Sequence, residues 1–152
     1  MKILPAAIIG LLIALPSYAG VKEKKAIRAM TADIEIGLAK MKTHCGNKAL
    51  VLHMDVDKQF SADNIRIARS NAKDFFDGMV SVCKDADYQA EISKIEEFKV
   101  TLSNNPTRTG QHEKIYGEIT LKDTLMQVAF HIKYSMSNGE GNKIPRAIQG
   151  LY

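Results

Sequence analysis

The chain has 152 residues, of which 45% are hydrophobic and 25% charged, with a formal net charge of +4 at pH 7. This length suits one domain with a real hydrophobic core. Lysines and arginines are interleaved with acids except at Lys22, Lys24, Lys25 and Arg28, where we expect a solvated helix start. Because nucleic-acid-binding proteins usually have a concentrated basic face, this charge pattern argues against that class of protein.

Residues 1–19 have the pattern of an export signal. Lys2 precedes an apolar run over residues 3–15, and Ser17 and Ala19 are small residues at the spacing that a signal peptidase reads. The run is shorter than the roughly 20 residues that span a bilayer. We therefore expect cleavage after Ala19 and no membrane anchor afterwards.

The predicted mature chain, residues 20–152, forms one domain of about 130 residues. Loss of Lys2 lowers its net charge from +4 to +3. Export predicts a periplasmic or secreted location, which is an oxidising compartment.

An amphipathic helix is predicted over about 21–43. Its apolar residues recur every three or four positions, as on one face of an α-helix, and are Ala26, Ile27, Met30, Ile34, Leu38, Met41 and Cys45. Gly46 and Asn47 supply a stop. Residues 49–57 alternate between apolar and polar side chains and predict a half-buried strand.

A second amphipathic helix is predicted over 61–83. Ser61 is a suitable N-cap and Asp63 complements the helix dipole. Its stripe also ends in a cysteine, and consists of Ile65, Ala68, Ala72, Phe75, Phe76, Met79, Val80 and Cys83. A short helical piece is expected over 88–95.

Three further strands are predicted from alternation, over 97–102, 115–121 and 126–136. Residues 103–110 predict a turn-rich connection and residues 122–124 a tight one, and short connections indicate an antiparallel meander. Residues 145–152 predict a helical turn, with Pro145 in its first position.

These elements predict an α+β fold. We expect a two-layer sandwich in which two amphipathic helices pack on one face of a four-stranded, mainly antiparallel sheet. Cys45 and Cys83, the two cysteines of the chain, are expected to form a disulfide between the helix ends. Two buried free thiols are the alternative.

The layout resembles a group of uncharacterised exported bacterial proteins. The resemblance lies in a helix that ends in a cysteine-glycine pair, here Cys45 and Gly46, a helix that ends in Cys83, a Lys-Ile pair entering a strand, here Lys94 and Ile95, and a β-meander. It implies no activity.

Candidate chemistry is sparse. His53, Asp55 and Asp57 share one strand face, where residues i, i+2 and i+4 lie about 6 to 7 Å apart, too far for one ion without a ligand such as His131 from a neighbouring strand. His44 and Cys45 are adjacent on a helix and point about 100° apart, so they do not form a nucleophile and base dyad. We therefore expect no enzyme activity, metal or cofactor.

The polar face of the predicted sheet is the candidate binding surface. It comprises His53, Asp55, Asp57, Glu97, Lys99, Tyr116, Glu118, His131 and Lys133. The leading hypothesis is an exported, non-enzymatic protein-binding domain, with an immunity or inhibitor protein as one example. The alternatives are a small-ligand or lipid carrier with a cavity between helices and sheet and, less favoured, a hydrolase that uses His53 with Asp55 or Asp57.

Overall fold

The computed structural model describes residues 20–56, 60–104, 106–109, 113–136 and 143–152. The predicted export signal and Asp57 lie outside these residues. The described residues form four helices and five strands, which in chain order are α1 (Val21–Cys45), β1 (Val51–Asp55), α2 (Ala62–Val82), α3 (Ala86–Ile92), β2 (Glu97–Ser103), β3 (Pro106–Thr109), β4 (Glu113–Lys122), β5 (Leu125–His131) and α4 (Ile144–Gln149).

The α+β class is confirmed, but the prediction of a four-stranded, mainly antiparallel sheet is wrong. The sheet has five strands in the order β1-β2-β5-β4-β3. β1 pairs with β2, and β2 with β5, in parallel, whereas β4 pairs with β5 and with β3 antiparallel. The fifth strand, β3, lies in the stretch that the sequence predicted as a turn-rich connection.

The tight connection between β4 and β5 is confirmed. Lys122 pairs with Leu125 across the turn, and Asp123 adopts a φ of 53°. Aspartate tolerates this left-handed conformation better than most residues do. The short connection thus predicted this hairpin correctly. It did not predict the neighbours of β2, because β5, which comes later in the chain, lies between β2 and β4 in the sheet.

Both long helices start or stop where the sequence predicted. The Ser61 hydroxyl accepts a hydrogen bond from the backbone N–H of Asn64 at 3.2 Å and caps α2. Gly46 ends α1 in the left-handed conformation, with a φ of 80°.

α1 packs directly on α2 at Gly37. A Cβ atom at this position would lie 2.3 Å from the ring of Phe76, far inside van der Waals contact, so the bare glycine lets the two helices approach closely. No sequence pattern predicts this role of Gly37.

The core centres on phenylalanines that join α2 to the sheet. The Phe75 ring packs edge to face on Phe98 of β2 and on Phe130 of β5, with centroids 6.3 and 5.8 Å apart. Such pairs add about 0.5–1.5 kcal/mol each beyond the burial of their area. α2 therefore covers the centre of one sheet face, which we call the inner face.

The Cys45–Cys83 disulfide is confirmed. Its Cα atoms are 5.3 Å apart, its residues are separated by 38 positions, and both side chains are buried. The bridge ties the last residue of α1 to the C-cap of α2. On the chain-entropy model, closing such a loop stabilises the fold by about 4 kcal/mol.

Two shorter helices complete the fold. The buried amide of Asn47 donates to the carbonyls of Ile92 and Ile95 at 2.7 and 3.1 Å, which ties the end of α3 to the connection between α1 and β1. α4 packs on α2 at Gly78, where a Cβ atom would lie 2.8 Å from the Ile144 side chain.

Candidate functional site

The face of the sheet that points away from α2 is the candidate site, and we call it the outer face. Along β2 and β5 the side chains of Phe98, Val100, Met126 and Val128 are buried on the inner side, and the residues between them point the opposite way. The paired register places the outward side chains in rows across the strands. From β1 to β4 these rows are His53, Lys99, Gln127 and Thr120, then Asp55, Thr101, Ala129 and Glu118.

Basic and acidic side chains meet at the β1 and β2 end of the outer face. His53 Nε2 lies 3.0 Å from Glu97 Oε2, and Lys99 Nζ lies 4.0 Å from Asp55 Oδ2. The side chains of these four residues are 42–72% exposed, so the pairs contribute at most about 1 kcal/mol to stability. These side chains are open to solvent.

A shallow depression of about 100 Å³ lies at the centre of the outer face. Its walls are small or polar, and its lining residues are Thr101, Glu118, Thr120, Gln127, Val128 and Ala129. A depression of this size receives one or two side chains, because ligand pockets for small molecules measure about 300–1,000 Å³.

An aromatic cluster of Tyr116, His131 and Tyr134 lies at the far end of the outer face. The Tyr134 ring packs on Tyr116 and stacks on His131, with centroids 5.0 and 5.3 Å apart and an angle of 22° between the stacked planes. Tyr134 remains 56% exposed, whereas His131 is 1% exposed. The predicted binding residue His131 thus lies on this face, but beneath Tyr134.

The imidazole of His131 is held by three hydrogen bonds. Nδ1 accepts from the backbone N–H groups of Lys133 and Tyr134 at 3.1 and 3.0 Å, and Nε2 lies 3.0 Å from the carbonyl oxygen of Asn104. A nitrogen that accepts two hydrogen bonds carries no proton, so the neutral ring holds its proton on Nε2 and donates it to Asn104. Burial lowers the pKa of His131 below its usual value. The hydrogen bond to Asn104 acts in the opposite direction and raises the pKa, whereas the charge of Lys133 lowers it further.

Asparagines on α2 fix the segment that carries Tyr134. Asn71 donates to the carbonyls of His131 and Tyr134 at 2.8 and 2.9 Å, and accepts from the N–H of Met136 at 2.8 Å. Asn64 donates to the carbonyl of Ile132 at 3.2 Å. β5 ends at His131, five residues before the end of the predicted strand. Beyond that point, these side-chain hydrogen bonds take the place of the backbone hydrogen bonds of a sheet.

Sequence reasoning missed the roles of Asn71 and Tyr134. The available signal for Asn71 was its position, three residues after Ala68 and four before Phe75 on the buried stripe of α2, where a polar residue needs a partner. In the strand predicted over 126–136, Tyr134 falls on the same side as the apolar residues Met126 and Val128, so alternation predicts a buried ring rather than an exposed one.

The other predicted residues are distributed as follows. His53, Asp55, Glu97, Lys99, Tyr116 and Glu118 lie together on the outer face, and exposed Lys133 lies next to Tyr134, beyond the end of β5. Among the described residues no group of three or more His, Cys, Asp or Glu side chains has the geometry of a metal site. His44 is exposed, and its neighbour Cys45 is in the disulfide.

A second concave surface lies between α1 and α2. It measures about 230 Å³ and is lined by Asp33, Ile36, Gly37, Lys40, Lys73, Phe76 and Asp77. Ion pairs between the helices close its two ends, with Arg69 Nε 2.6 Å from Asp33 Oδ2 and Lys40 Nζ 3.0 Å from Asp77 Oδ1. Ile36, 58% exposed, forms one wall.

Comparisons of this chain with models of known protein families, with curated proteins and with solved structures found no match. The resemblance to uncharacterised exported proteins is therefore unsupported, although the disulfide on which it partly rested is present. In the part of the chain that the structure describes, no helix has the length and apolar character needed to cross a membrane.

Proposed function

We propose that this protein is an exported, non-enzymatic binding domain that recognises another protein with the outer face of its sheet. α1 and α2 would then form one layer on the inner face of a two-layer sandwich and leave the outer face to the partner. The observation that carries the proposal is Tyr134, a large ring that is 56% exposed at the edge of a polar, solvent-open sheet face.

Tyrosine is enriched among the residues that dominate binding energy, because its ring offers apolar area and its hydroxyl a hydrogen bond at small entropic cost. Tyr134 is also rigid, since its ring is stacked on His131 and its carbonyl is bonded to Asn71. A partner would place an apolar side chain against Tyr134 and polar groups over the central depression. It would set charges of both signs against the pairs His53–Glu97 and Asp55–Lys99.

The exposed pairs His53–Glu97 and Asp55–Lys99 favour a partner protein whose surface carries charges of both signs. An immunity or inhibitor protein that occludes a toxic enzyme is the functional class we favour for a small, disulfide-bonded domain without recognisable catalytic motifs. The compartment in this proposal is the periplasm or the extracellular space, which the Cys45–Cys83 disulfide supports.

The test is partner capture from the native envelope fraction with three forms of the protein. Wild type and Ile36→Ala, which alters an exposed apolar residue on the helix side, are expected to retain the same partner. Tyr134→Ala is expected to lose at least about 30-fold in affinity, as hot-spot tyrosines do when truncated. Equal retention by Tyr134→Ala would overturn the proposal.

A second candidate function is a small-ligand carrier. The sequence predicted its cavity between helices and sheet, whereas the concave surface that supports this candidate is the groove between α1 and α2. The groove has an apolar floor at Phe76 but lies on the solvent side of the helices and, at about 230 Å³, is below the usual size of ligand pockets. Native mass spectrometry of gently purified protein decides this candidate. A retained adduct that Ile36→Ala weakens would support a carrier, and bare polypeptide would count against it.

A further inference from the structure

The side chain of His131 closes the turn that holds Tyr134 on the outer face. Its Nδ1 is the acceptor for the backbone N–H groups of Lys133 and Tyr134, at 3.1 and 3.0 Å. Because those N–H groups point at one unprotonated nitrogen, the turn depends on the neutral ring.

We infer that His131 is a pH-sensitive latch for the outer face: when its Nδ1 gains a proton, the turn over residues 132–136 opens and Tyr134 leaves its place. Protonation converts Nδ1 from an acceptor into a donor, so three N–H groups would face one another and the two backbone groups would lose their partner. An unpaired buried donor is strongly unfavourable, and movement of the turn into water relieves it. The consequence for binding rests on the proposed function, whereas the latch itself does not.

The surroundings of the ring offer little that would stabilise the added charge. Tyr116 of β4 and Tyr134 of the turn contact it as neutral rings, Asn104 follows β2, and Asn71 of α2 bonds the His131 carbonyl. Among the described residues, Lys133 in the turn opposes protonation, and Glu118 lies on the same face of β4, opposite Ala129. Asn104 accepts from Nε2 in either protonation state.

The sign of the effect follows from linkage. Burial lowers the pKa of His131 in the closed turn, whereas in the open turn the ring returns towards about 6.5. The closed arrangement is therefore fully favoured above about pH 6.5 and weakens as the pH falls from there towards the lowered value. Over that window the ratio of open to closed molecules rises up to about tenfold per pH unit.

The test is a titration of the histidine ring nitrogens and backbone amides by two-dimensional ¹H–¹⁵N NMR, from about pH 7.5 to about pH 4.5. We expect His131 to carry its proton on Nε2 at neutral pH and to titrate below about 6.5. The amides of Lys133 and Tyr134 should shift with the same midpoint. A proton on Nδ1 at neutral pH, or amides that stay unchanged while the ring titrates, would overturn the latch.

His131→Asn is the matched variant, because the asparagine oxygen lies at the distance of Nδ1 from the backbone, accepts hydrogen bonds and does not titrate. Its turn is expected to stay closed across the same range. If this variant does not fold, the wild-type titration decides alone. These measurements need no partner, so a negative NMR result removes the latch and leaves the binding proposal. If the titration is as expected but partner capture does not depend on Tyr134, only the binding proposal is removed.

Discussion

The inner and outer faces of the sheet come from the same strands but are stabilised by different interactions. Phe98 on the inner face is fully buried and meets Phe75 of α2, whereas its neighbour Lys99 points to solvent and reaches Asp55 across 4.0 Å. Burial of a phenylalanine is worth several kcal/mol, and an exposed ion pair less than about 1 kcal/mol. The interactions that stabilise the domain thus lie mainly on the inner face, and the outer face is open to solvent.

The largest effect is expected from Phe98→Ala on the inner face. Loss of the buried ring removes its contacts with Phe75 and leaves a cavity, so the free energy of unfolding should fall by about 3–5 kcal/mol. Lys99→Ala, one residue away on the outer face, is the control and should change it by less than about 1 kcal/mol. Urea denaturation measures both, and similar losses for the two variants would contradict the division between the faces.

An intermediate effect is expected from Asn71→Ala, because Asn71 connects α2 with the turn that carries Tyr134. The substitution leaves the N–H of Met136 and two carbonyls without a partner and should lower the free energy of unfolding by about 2–3 kcal/mol. Amide exchange should accelerate first at Met136. Ser70→Ala, at the adjacent exposed position, is the control, and unchanged exchange at Met136 in Asn71→Ala would disprove the connection.

The smallest effect is expected from His53→Gln and Glu97→Gln, which remove an exposed pair at the β1 end of the outer face. A double-mutant cycle measured by urea denaturation should give a coupling of at most about 1 kcal/mol. A larger coupling would mean that the outer face also contributes to folding and is not free for binding.

Local rules of sequence predicted much of the inner face. The apolar stripes of α1 and α2 follow helical periodicity, the caps at Ser61 and Gly46 are as expected, and the stripes end in the two cysteines that form the disulfide. The tight turn at Asp123 was also predicted from the sequence. Each of these features depends on residues close together in the chain or on a single pair of cysteines.

Features that depend on distant residues could not be predicted in this way. The parallel pairing of β2 with β5 joins residues separated by the whole β3–β4 segment, so it left no trace in connection lengths. β3 begins at Pro106, a residue that usually argues against a strand. Asn71 and His131 satisfy backbone groups across the fold, and no periodic pattern encodes such bonds.

The most direct test of binding by the outer face is site-specific photo-crosslinking in the native host. The photoreactive residue p-benzoylphenylalanine would replace Gln127, which is exposed at the centre of the outer face, or, in a separate variant, Ile36 on the helix side. We expect a discrete crosslinked protein from position 127 that Tyr134→Ala abolishes, and none from position 36. A crosslink from position 36 alone would contradict it and place the interface on the helices.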